Sequence, residues 1–335
     1  MQIEIKEITM IKRITTAIIS AALALGGLAS CGSGSSSSKN DSKVNIVCTI
    51  FPEYDWARQL TKGVEDVEIT YLLDSGADLH SYQPTAEDIL TISDCDLFIY
   101  AGGESDSWVD DALENKTNKD MKIIDMLDLI GDSAKEEELK EGMQAEEEEH
   151  TDAEEEKEYD EHIWLSVSNA KTVCQKITDD LCEIDDKNKD KYKSNFTSYE
   201  SELDALDKDF KALADSAKQK TLIFGDRFPF RYFTDEYGFD YFAAFAGCSA
   251  ETEASFETIA FLAGKVDELS AKTVFVIENS DRKIAQAIID NTKDRNAEIR
   301  TLDSLQSVTK EQVDNDHTYI TLMRENLKTL SEAIS

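Results

Sequence analysis

The feature that most constrains the fold is a strand and helix alternation that occurs twice along the chain. In the first series, the strand-like runs KVNIVCTIF, VEITYLL and DLFIYAGG alternate with the helical patterns EYDWARQLTKG and AEDILTISDC. The second series begins after Lys220, with TLIFGD, YFAAFAG and TVFVIEN as strands between helical patterns. Strands separated by helices pair in parallel, because each helix carries the chain back to the end where the previous strand began. The sequence therefore predicts an α/β fold with two parallel-sheet lobes.

A nearly continuous helical pattern joins the two series. Over residues 168–217, apolar side chains such as Val173 and Ile177 recur every three or four positions. This spacing predicts a long, rigid linking segment, with DDKNKD as its expected break. We therefore expect an N-terminal lobe over residues 44–167 and a C-terminal lobe over residues 218–335.

Residues 1–31 have the pattern of a secretion signal that ends in a cysteine. A basic pair, an apolar stretch and the small residues LAS precede Cys31, and we expect translation to start at Met10. LASC resembles a bacterial lipobox, so Cys31 is expected to be lipidated, and residues 32–43 have the composition of a flexible tether. The protein is expected at the outer face of the bacterial cytoplasmic membrane. An ordinary signal peptide with an incidental cysteine is the alternative.

The net charge of −35 is concentrated in one segment. Between Lys135 and Glu161 there are fifteen acidic residues and three lysines. So few apolar side chains cannot offset the ordering entropy, and residues 132–161 are expected to form a mobile loop. Its carboxylates attract cations and argue against nucleic acid as a partner. The residues expected to collect metal ions are Glu146, Glu147, Glu148, Glu149 and His150. A solvated insertion without that role is the alternative.

Two of the four histidines lie where loops meet folded segments. His80 follows a predicted strand and precedes a helix start, which is the region where parallel α/β lobes bind ligands. His162 ends the acidic loop and is followed by the apolar residues IWL. Neutral imidazoles bind zinc and similar metals, so these two side chains would form a metal site if the fold brings them together. A surface or helix-capping role is the alternative for His80.

Other motifs of chemistry are missing from the sequence. GxGxxG, GxxxxGK[ST] and GxSxG do not occur, which argues against a nucleotide enzyme or a serine hydrolase. The five cysteines after Cys31 have no CxxC or zinc-knuckle spacing and are expected to be buried thiols. Cys248 is included in that expectation, because a lone buried thiol is usually a packing residue.

Several segments together resemble the zinc/manganese solute-binding lipoproteins of ABC transporters, in particular the zinc-uptake type. GADLHSYQPTAEDIL and DEHIWLSVSNA resemble the first and second metal-histidine segments of that family. FPEYDWARQL, FRYFTDEYG, AETEASFETIAFLAGKV and FVIENSDRK extend the resemblance over nearly everything after the tether. The family implies two α/β lobes joined by a rigid helix, with Zn²⁺, or Mn²⁺ as the alternative, held between them. It also implies a monomer that is not an enzyme and delivers the metal to an ABC permease and its ATPase.

The resemblance implies metal ligands from both lobes. His80 and His162 match the first two ligand histidines. The third position has no histidine in this chain: alignment of the strand ends places Asp226 there, with Arg227 orienting its carboxylate. Alignment backwards from Tyr232 would instead place Arg227 there, which cannot bind a cation. A helix cap is the alternative role for Asp226.

Three further acidic residues match family positions near the cleft. Asp281 is the nearest match to the fourth ligand position, with Glu278 as the second choice, and Asp281 as a helix cap is the alternative. Glu253 matches a carboxylate near the cleft.

Two other functions also fit parts of the pattern. A surface adhesion or structural lipoprotein would not need both histidines, and a zinc hydrolase would be expected to carry HExxH or a similar general base, which this sequence lacks.

Overall fold

Two parallel four-stranded sheets form the framework of the computed structural model, which describes residues 43–114, 116–144, 158–249 and 253–334. The strands of the first sheet are β1 (Val44–Cys48), β2 (Val67–Tyr71), β3 (Leu97–Tyr100) and β4 (Lys122–Asp125). Those of the second sheet are β5 (Thr221–Phe228), β6 (Asp240–Ala246), β7 (Thr273–Val276) and β8 (Glu298–Thr301). The strand orders are β2-β1-β3-β4 and β6-β5-β7-β8, and all neighbours run parallel. The predicted fold class is confirmed.

Helices cover the sheets and link the lobes. Those of the N-terminal lobe are α1 (Phe51–Leu60), α2 (Ala86–Asp94), α3 (Val109–Glu114) and α4 (Met126–Ile130). The linking helices are α5 (Val167–Ile184) and α6 (Lys189–Ser216). The remaining helices are α7 (Arg231–Tyr237), α8 (Phe256–Leu269), α9 (Lys283–Asp290), α10 (Lys310–Asp314) and α11 (Tyr319–Ile334). Several helix starts are encoded locally, because a hydroxyl side chain accepts a hydrogen bond from the backbone N–H three residues later. These capping residues are Thr85, Ser166, Ser255 and Thr309.

The linking segment is divided into two helices at the predicted break. Asp185, between α5 and α6, accepts hydrogen bonds from Asn188 Nδ2 at 2.7 Å and from the Tyr192 hydroxyl at 2.9 Å. These bonds fix the turn at DDKNKD. Helix α6 has 28 residues and is therefore roughly 42 Å long. It packs against α5, α1 and α11, so it contacts elements that precede and follow it in the chain.

The two lobes share one hydrophobic core. Buried Ile46 of β1 and buried Phe224 of β5 belong to the same cluster of packed side chains. Helix α11 follows the second sheet in sequence, yet its first residue, Tyr319, donates a hydrogen bond from its hydroxyl to the carbonyl oxygen of Trp164 at 2.7 Å. The Tyr319 ring also meets the Trp56 ring edge-on, with 5.3 Å between the centroids. Because packed cores resist deformation, this continuity holds the lobes in one relative orientation.

The two ends of the acidic loop have defined contacts, contrary to the expectation of a mobile loop. Glu136 pairs with Tyr159 in an isolated antiparallel bridge. Lys140 forms an ion pair with Asp240, and its Nζ lies 4.0 Å from the centre of the Tyr241 ring. The C-terminal lobe thus supplies partners for polar groups of the loop, which composition alone does not reveal. The mobile-loop prediction does not hold for these two ends.

Several predictions concern residues outside the described ranges. They are the signal peptide over residues 1–31, translation from Met10, lipidation of Cys31 and most of the tether over residues 32–43. The residues expected to collect metal ions also lie outside the described part: Glu146, Glu147, Glu148, Glu149 and His150. Among the residues that the structure does describe, no helix has the length and apolar character needed to cross a bilayer.

Candidate metal site

His80 is held at the carboxyl end of the first sheet by a short turn. The residues Leu79–Ser81 form a single turn of 3-10 helix after β2, and the Asp78 side chain accepts a hydrogen bond from the backbone N–H of His80 at 3.1 Å. The histidine side chain is 9% exposed. On the ring, Nδ1 lies 2.8 Å from Ser105 Oγ and 3.5 Å from Glu161 Oε2. These contacts fix the ring orientation and leave Nε2 for another partner.

His162 is completely buried and is oriented by a neighbouring carboxylate. Asp160 Oδ1 accepts a hydrogen bond from the backbone N–H of His162 at 2.8 Å and lies 3.0 Å from its Nδ1. The residue starts the turn Ile163–Leu165, which precedes α5. Trp164 in that turn donates a hydrogen bond from Nε1 to the carbonyl oxygen of Ser304 at 2.7 Å. The His162 segment is thereby anchored to both lobes.

The two histidines face each other through their Nε2 atoms, which are 3.3 Å apart. Their ring centroids are separated by 5.2 Å. A shared proton or a bound metal ion can bridge two nitrogens at this separation. Two nitrogens bound tetrahedrally to one zinc ion at about 2.0–2.1 Å are about 3.3 Å apart, so the spacing fits zinc coordination. The sequence predicted this pairing, and the structure brings the two side chains together.

Cys248 supplies a third donor from the C-terminal lobe. Its Sγ atom and one ring nitrogen of each histidine all lie within 4.8 Å of one another. The backbone N–H of Cys248 donates to Glu137 Oε1 at 2.8 Å. The structure therefore places this thiol in the site, although the sequence predicted a packing residue at this position. Its position just after β6, at the ligand-binding end of a parallel sheet, is the signal that could have identified it.

Asp226 does not join the three-donor group, among the residues that the structure describes. It lies within β5, whose pairing with β6 is irregular between Phe224 and Arg227. Its carboxylate accepts hydrogen bonds from the backbone N–H of Arg227 at 2.9 Å and of Ile277 at 3.4 Å. The strand continues beyond Asp226, so this residue does not cap α7 either, because the residue preceding that helix is Phe230.

The sequence predicted that Arg227 orients the Asp226 carboxylate, but the guanidinium does not hold it. Its side chain forms an ion pair with Asp78 instead. Asp78 also binds the backbone of His80, so Arg227 is linked to the metal site through a single carboxylate. The role of Asp226 as a metal ligand remains a prediction that this geometry does not favour.

The other acidic residues singled out from the sequence also lie apart from the three-donor group of the described chain. Asp281 is exposed and forms an ion pair with Lys283, and its carboxylate also accepts a hydrogen bond from the backbone N–H of Lys283, although the N-cap residue of α9 is Arg282. Glu278 is bound to Ser304, through the backbone N–H at 2.7 Å and the hydroxyl at 2.5 Å. Glu253 is exposed. Local hydrogen-bond donors satisfy Asp281 and Glu278, which is why neither carboxylate turns towards the histidines.

The site environment gives its donors different proton affinities. Burial, together with the charge of His162, lowers the pKa of His80 to about 3. For His162, burial alone would lower the pKa, but the ion pair with Asp160 outweighs it and raises the pKa. Burial, reinforced by Asp160 and Glu137, holds the pKa of the Cys248 thiol well above its ordinary value. His80 is thus neutral and available to a metal ion over the whole physiological pH range, whereas a metal must displace the proton of Cys248 and compete with a proton on His162.

Donor atoms from both lobes meet at one site, which is the arrangement of a two-lobed ligand-binding protein. Comparisons with known proteins lead to the same class. The family described as zinc-uptake complex component A, periplasmic (ZnuA) matches residues 46–333, and the chain belongs to this family. The resemblance found in the sequence is confirmed.

Individual relatives cover most of the chain. The high-affinity zinc uptake system protein ZnuA of Bacillus subtilis is 30% identical over 313 residues, which are 92% of this chain and 93% of that protein. Zinc-binding protein AdcA of Streptococcus pyogenes is 29% identical over 296 residues, 87% of this chain and 56% of AdcA, so the chain spans about half the length of that relative. The crystal structure of the Zn(II)-bound ZnuA-like domain of Streptococcus pneumoniae AdcA has a TM-score of 0.67 and 26% identity, and covers 88% of this chain and 99% of that domain.

Proposed function

We propose that this protein captures Zn²⁺ outside the cytoplasm with His80, His162 and Cys248 and delivers it to an ABC permease and its ATPase. The observation that carries the proposal is the 3.3 Å separation of the two Nε2 atoms, with the Cys248 thiol beside them. The family name and the zinc-binding relatives support the cargo and the role in uptake. Capture and release need no covalent step, and we propose that the protein is not an enzyme.

The donor set supports zinc over manganese. Imidazole and thiolate are borderline or soft ligands, which suit Zn²⁺, whereas Mn²⁺ favours carboxylate and carbonyl oxygens. The oxygen donors that would favour Mn²⁺ bind elsewhere: Asp226 holds backbone N–H groups and Asp281 pairs with Lys283. Mn²⁺ is therefore the weaker competitor in this proposal.

In both histidines, the Nδ1 atom, which faces away from the other ring, lies near an oxygen atom, as in most metal-binding histidines. Asp160 contacts Nδ1 of His162, while Ser105 and Glu161 lie near Nδ1 of His80. Such partners fix the ring tautomer and orientation and raise the basicity of the metal-binding nitrogen. None of these three residues was singled out from the sequence, since their roles depend on contacts between separate loops.

Metal analysis and a Zn²⁺/Mn²⁺ competition titration on the protein from residue 32 onwards test the proposal. We expect one tightly bound zinc, its loss in the double variant His80→Ala/His162→Ala, and its retention in the control His317→Ala. Absence of tight zinc from the unmodified protein, or its retention in the double variant, would refute the proposal. Zinc-loaded protein assayed with esters, phosphoesters and peptides tests the hydrolase alternative, and we expect no turnover.

We also propose that Cys31 anchors the protein through a lipid at the outer face of the cytoplasmic membrane, where it acts as a monomer.

The acidic loop would raise the local concentration of cations near the site, over the roughly 8 Å that physiological salt allows. Its described end carries Glu137, which binds the backbone of Cys248 and so places the loop beside the metal donors. Deletion of residues 146–156 should slow zinc uptake at low salt. Unchanged uptake would leave the loop as a solvated insertion.

A further inference from the structure

An ion pair between the two lobes lies beside the metal site. Asp78 belongs to the N-terminal lobe and Arg227 to strand β5 of the C-terminal lobe, and both line a cavity of about 530 Å³ whose wall also includes His80. The two side chains are 28% and 17% exposed, so salt screens them less than it screens charges on the surface. The pair therefore places two opposite charges close to a site for a divalent cation.

Asp78 links the ion pair to a metal-binding residue. Its Oδ1 atom accepts a hydrogen bond from the backbone N–H of His80 at 3.1 Å, while its Oδ2 atom meets the guanidinium of Arg227. The guanidinium is thus separated from the His80 segment by a single carboxylate. Because a guanidinium does not lose its proton in proteins, Arg227 carries its positive charge at every physiological pH.

The charge of Arg227 acts on both metal-binding rings. Burial and the charge of His162 are the main causes that lower the pKa of His80, and Arg227 lowers it further while Asp78 opposes the change. Burial also acts against a proton on His162, and Arg227 adds to that effect, although the neighbouring carboxylates raise the pKa of this ring on balance. A positive charge that disfavours a proton on a ring nitrogen disfavours a metal cation there for the same reason.

Carboxylates on the other sides of the site attract a cation. Asp160 and Glu161 lie 3.0 and 3.5 Å from the Nδ1 atoms of the two histidines, and Glu137 accepts a hydrogen bond from the backbone N–H of Cys248. Such a group of negative charges favours tight binding of a divalent cation. A protein that delivers its cargo must also release it, and the charge of Arg227 acts in that direction.

Other contacts hold the segment of Asp78 against the C-terminal lobe, so the ion pair is not needed for that purpose. The Tyr71 hydroxyl donates a hydrogen bond to the carbonyl oxygen of Val308 at 2.7 Å. The backbone N–H of Lys310 donates to the carbonyl oxygen of Asp74, also at 2.7 Å. Ion pairs that water can reach contribute little to stability. The main effect of the pair is therefore on the electrostatic potential at the metal site.

We propose that Arg227 sets the zinc affinity of the site. Its positive charge opposes the bound cation, and Asp78 limits this opposition, so zinc is held firmly enough for capture and weakly enough for release. The inference rests on the proposed function, because it requires zinc at His80, His162 and Cys248. It assigns opposite effects to the two partners of one ion pair, which a purely structural link between the lobes would not have.

Competition titration with a zinc chelator measures the affinity, and stopped-flow transfer of zinc to excess chelator measures the release rate. Arg227→Gln should tighten zinc binding roughly tenfold and slow release, because the charge of Asp78 is then left uncompensated near the cation. Asp78→Asn should weaken zinc binding by about as much, since the amide oxygen still accepts the His80 N–H while Arg227 keeps its charge. Arg227→Lys restores the charge and should bring the affinity back towards that of the unmodified protein.

The matched controls break an ion pair elsewhere in the molecule. Arg324 of α11 pairs with Asp209 of α6, and neither residue lines the cavity. Arg324→Gln and Asp209→Asn should therefore both keep the zinc affinity of the unmodified protein. Unchanged unfolding temperatures verify that every variant is folded.

Zinc stoichiometry of the unmodified protein is measured first, and absence of bound zinc would defeat the proposed function itself. If zinc binds, the signs of the two single substitutions decide. Weaker binding in both Arg227→Gln and Asp78→Asn would show that the pair acts as a structural link. Unchanged binding in Arg227→Gln would show that its charge does not reach the metal. Either result overturns this inference and leaves the proposed function standing.

Discussion

Asp160 Oδ1 lies 3.0 Å from Nδ1 of His162, and both side chains are almost completely excluded from solvent. An ionised carboxylate can only accept a hydrogen bond, so Nδ1 carries the proton in this pair. The lone pair of a neutral His162 is then on Nε2, the atom that faces His80. A residue two positions before the ligand thus selects the tautomer that can bind a metal.

Asp160→Asn should weaken zinc binding by roughly 10 to 100-fold, because the amide can donate to Nδ1 and so favour the tautomer with the proton on Nε2. A competition titration with a zinc chelator measures this change. Asp180→Asn is the matched control, since Asp180 is also buried but pairs with Lys176 within α5. Equal affinities of the Asp160 variant and the unmodified protein would show that the carboxylate does not act on the tautomer.

Cys248→Ser should remove the sulfur ligand and lower zinc affinity while leaving the two histidines in place. Cobalt substitution reports the ligand directly, because a thiolate bound to Co²⁺ gives a sulfur-to-metal charge-transfer absorption. We expect this absorption in the unmodified protein and its loss in the variant. Cys182→Ser should retain it, since Cys182 is also only partly buried but lies in α5. A cobalt spectrum without the band in the unmodified protein would remove Cys248 from the ligand set.

Gly247→Ala should disturb the metal site through steric contact. A Cβ atom at this position would lie 2.9 Å from the carbonyl oxygen of Phe228 and 3.2 Å from both Asp160 Oδ2 and His162 Cε1. The expected result is weaker zinc binding at nearly unchanged secondary structure, measured by calorimetric titration and circular dichroism.

The control for that substitution is Gly264→Ala in α8, where a Cβ atom would meet open space. Alanine is the better helix former, so this variant should gain about 0.5–1 kcal/mol of stability and keep its zinc affinity. If Gly247→Ala and Gly264→Ala bind zinc with the same affinity, Gly247 is not required for close packing around His162.

Glu278 should make the protein less stable as the pH rises. Burial, reinforced by the neighbouring Asp303, raises the pKa of Glu278 from 4.5 to about 7. Between these values the folded chain keeps a proton that the unfolded chain has lost, so the stabilisation is present below about pH 4.5 and is lost as the pH passes about 7. The change amounts to roughly 3 kcal/mol at about 1.36 kcal/mol per pKa unit.

Urea unfolding of Glu278→Gln at pH 5 and pH 8 measures that contribution. The variant should lose less stability between the two pH values than the unmodified protein, while Glu253→Gln, at an exposed position, should behave as the unmodified protein does. A variant whose pH dependence matches the unmodified protein would contradict the assignment to Glu278.

The sequence by itself determined three strands of each sheet, most of the long helices and the two histidines, whereas β4 and β8 were not predicted. Strand and helix periods are local properties, and so are the turn around His80 and the apolar residues after His162, which is why the lobes and this pair could be predicted. Which side chains are buried also follows from the pattern of apolar residues, although the core that they form is shared by the two lobes.

Only the tertiary structure decided the rest of the site. Cys248 reaches the histidines because β6 ends at the junction of the lobes, a relation between residues far apart in sequence. The strand β5 extends past Asp226, and its pairing with β6 is irregular there. A shift of one residue reverses the direction in which a strand side chain points, so the Asp226 carboxylate faces backbone N–H groups. Likewise, the ends of the acidic loop are held by partners in the C-terminal lobe, such as Tyr232, whose hydroxyl accepts a hydrogen bond from the Lys135 backbone at 3.0 Å. Contacts of this kind depend on how separately formed elements pack, and no local pattern encodes them.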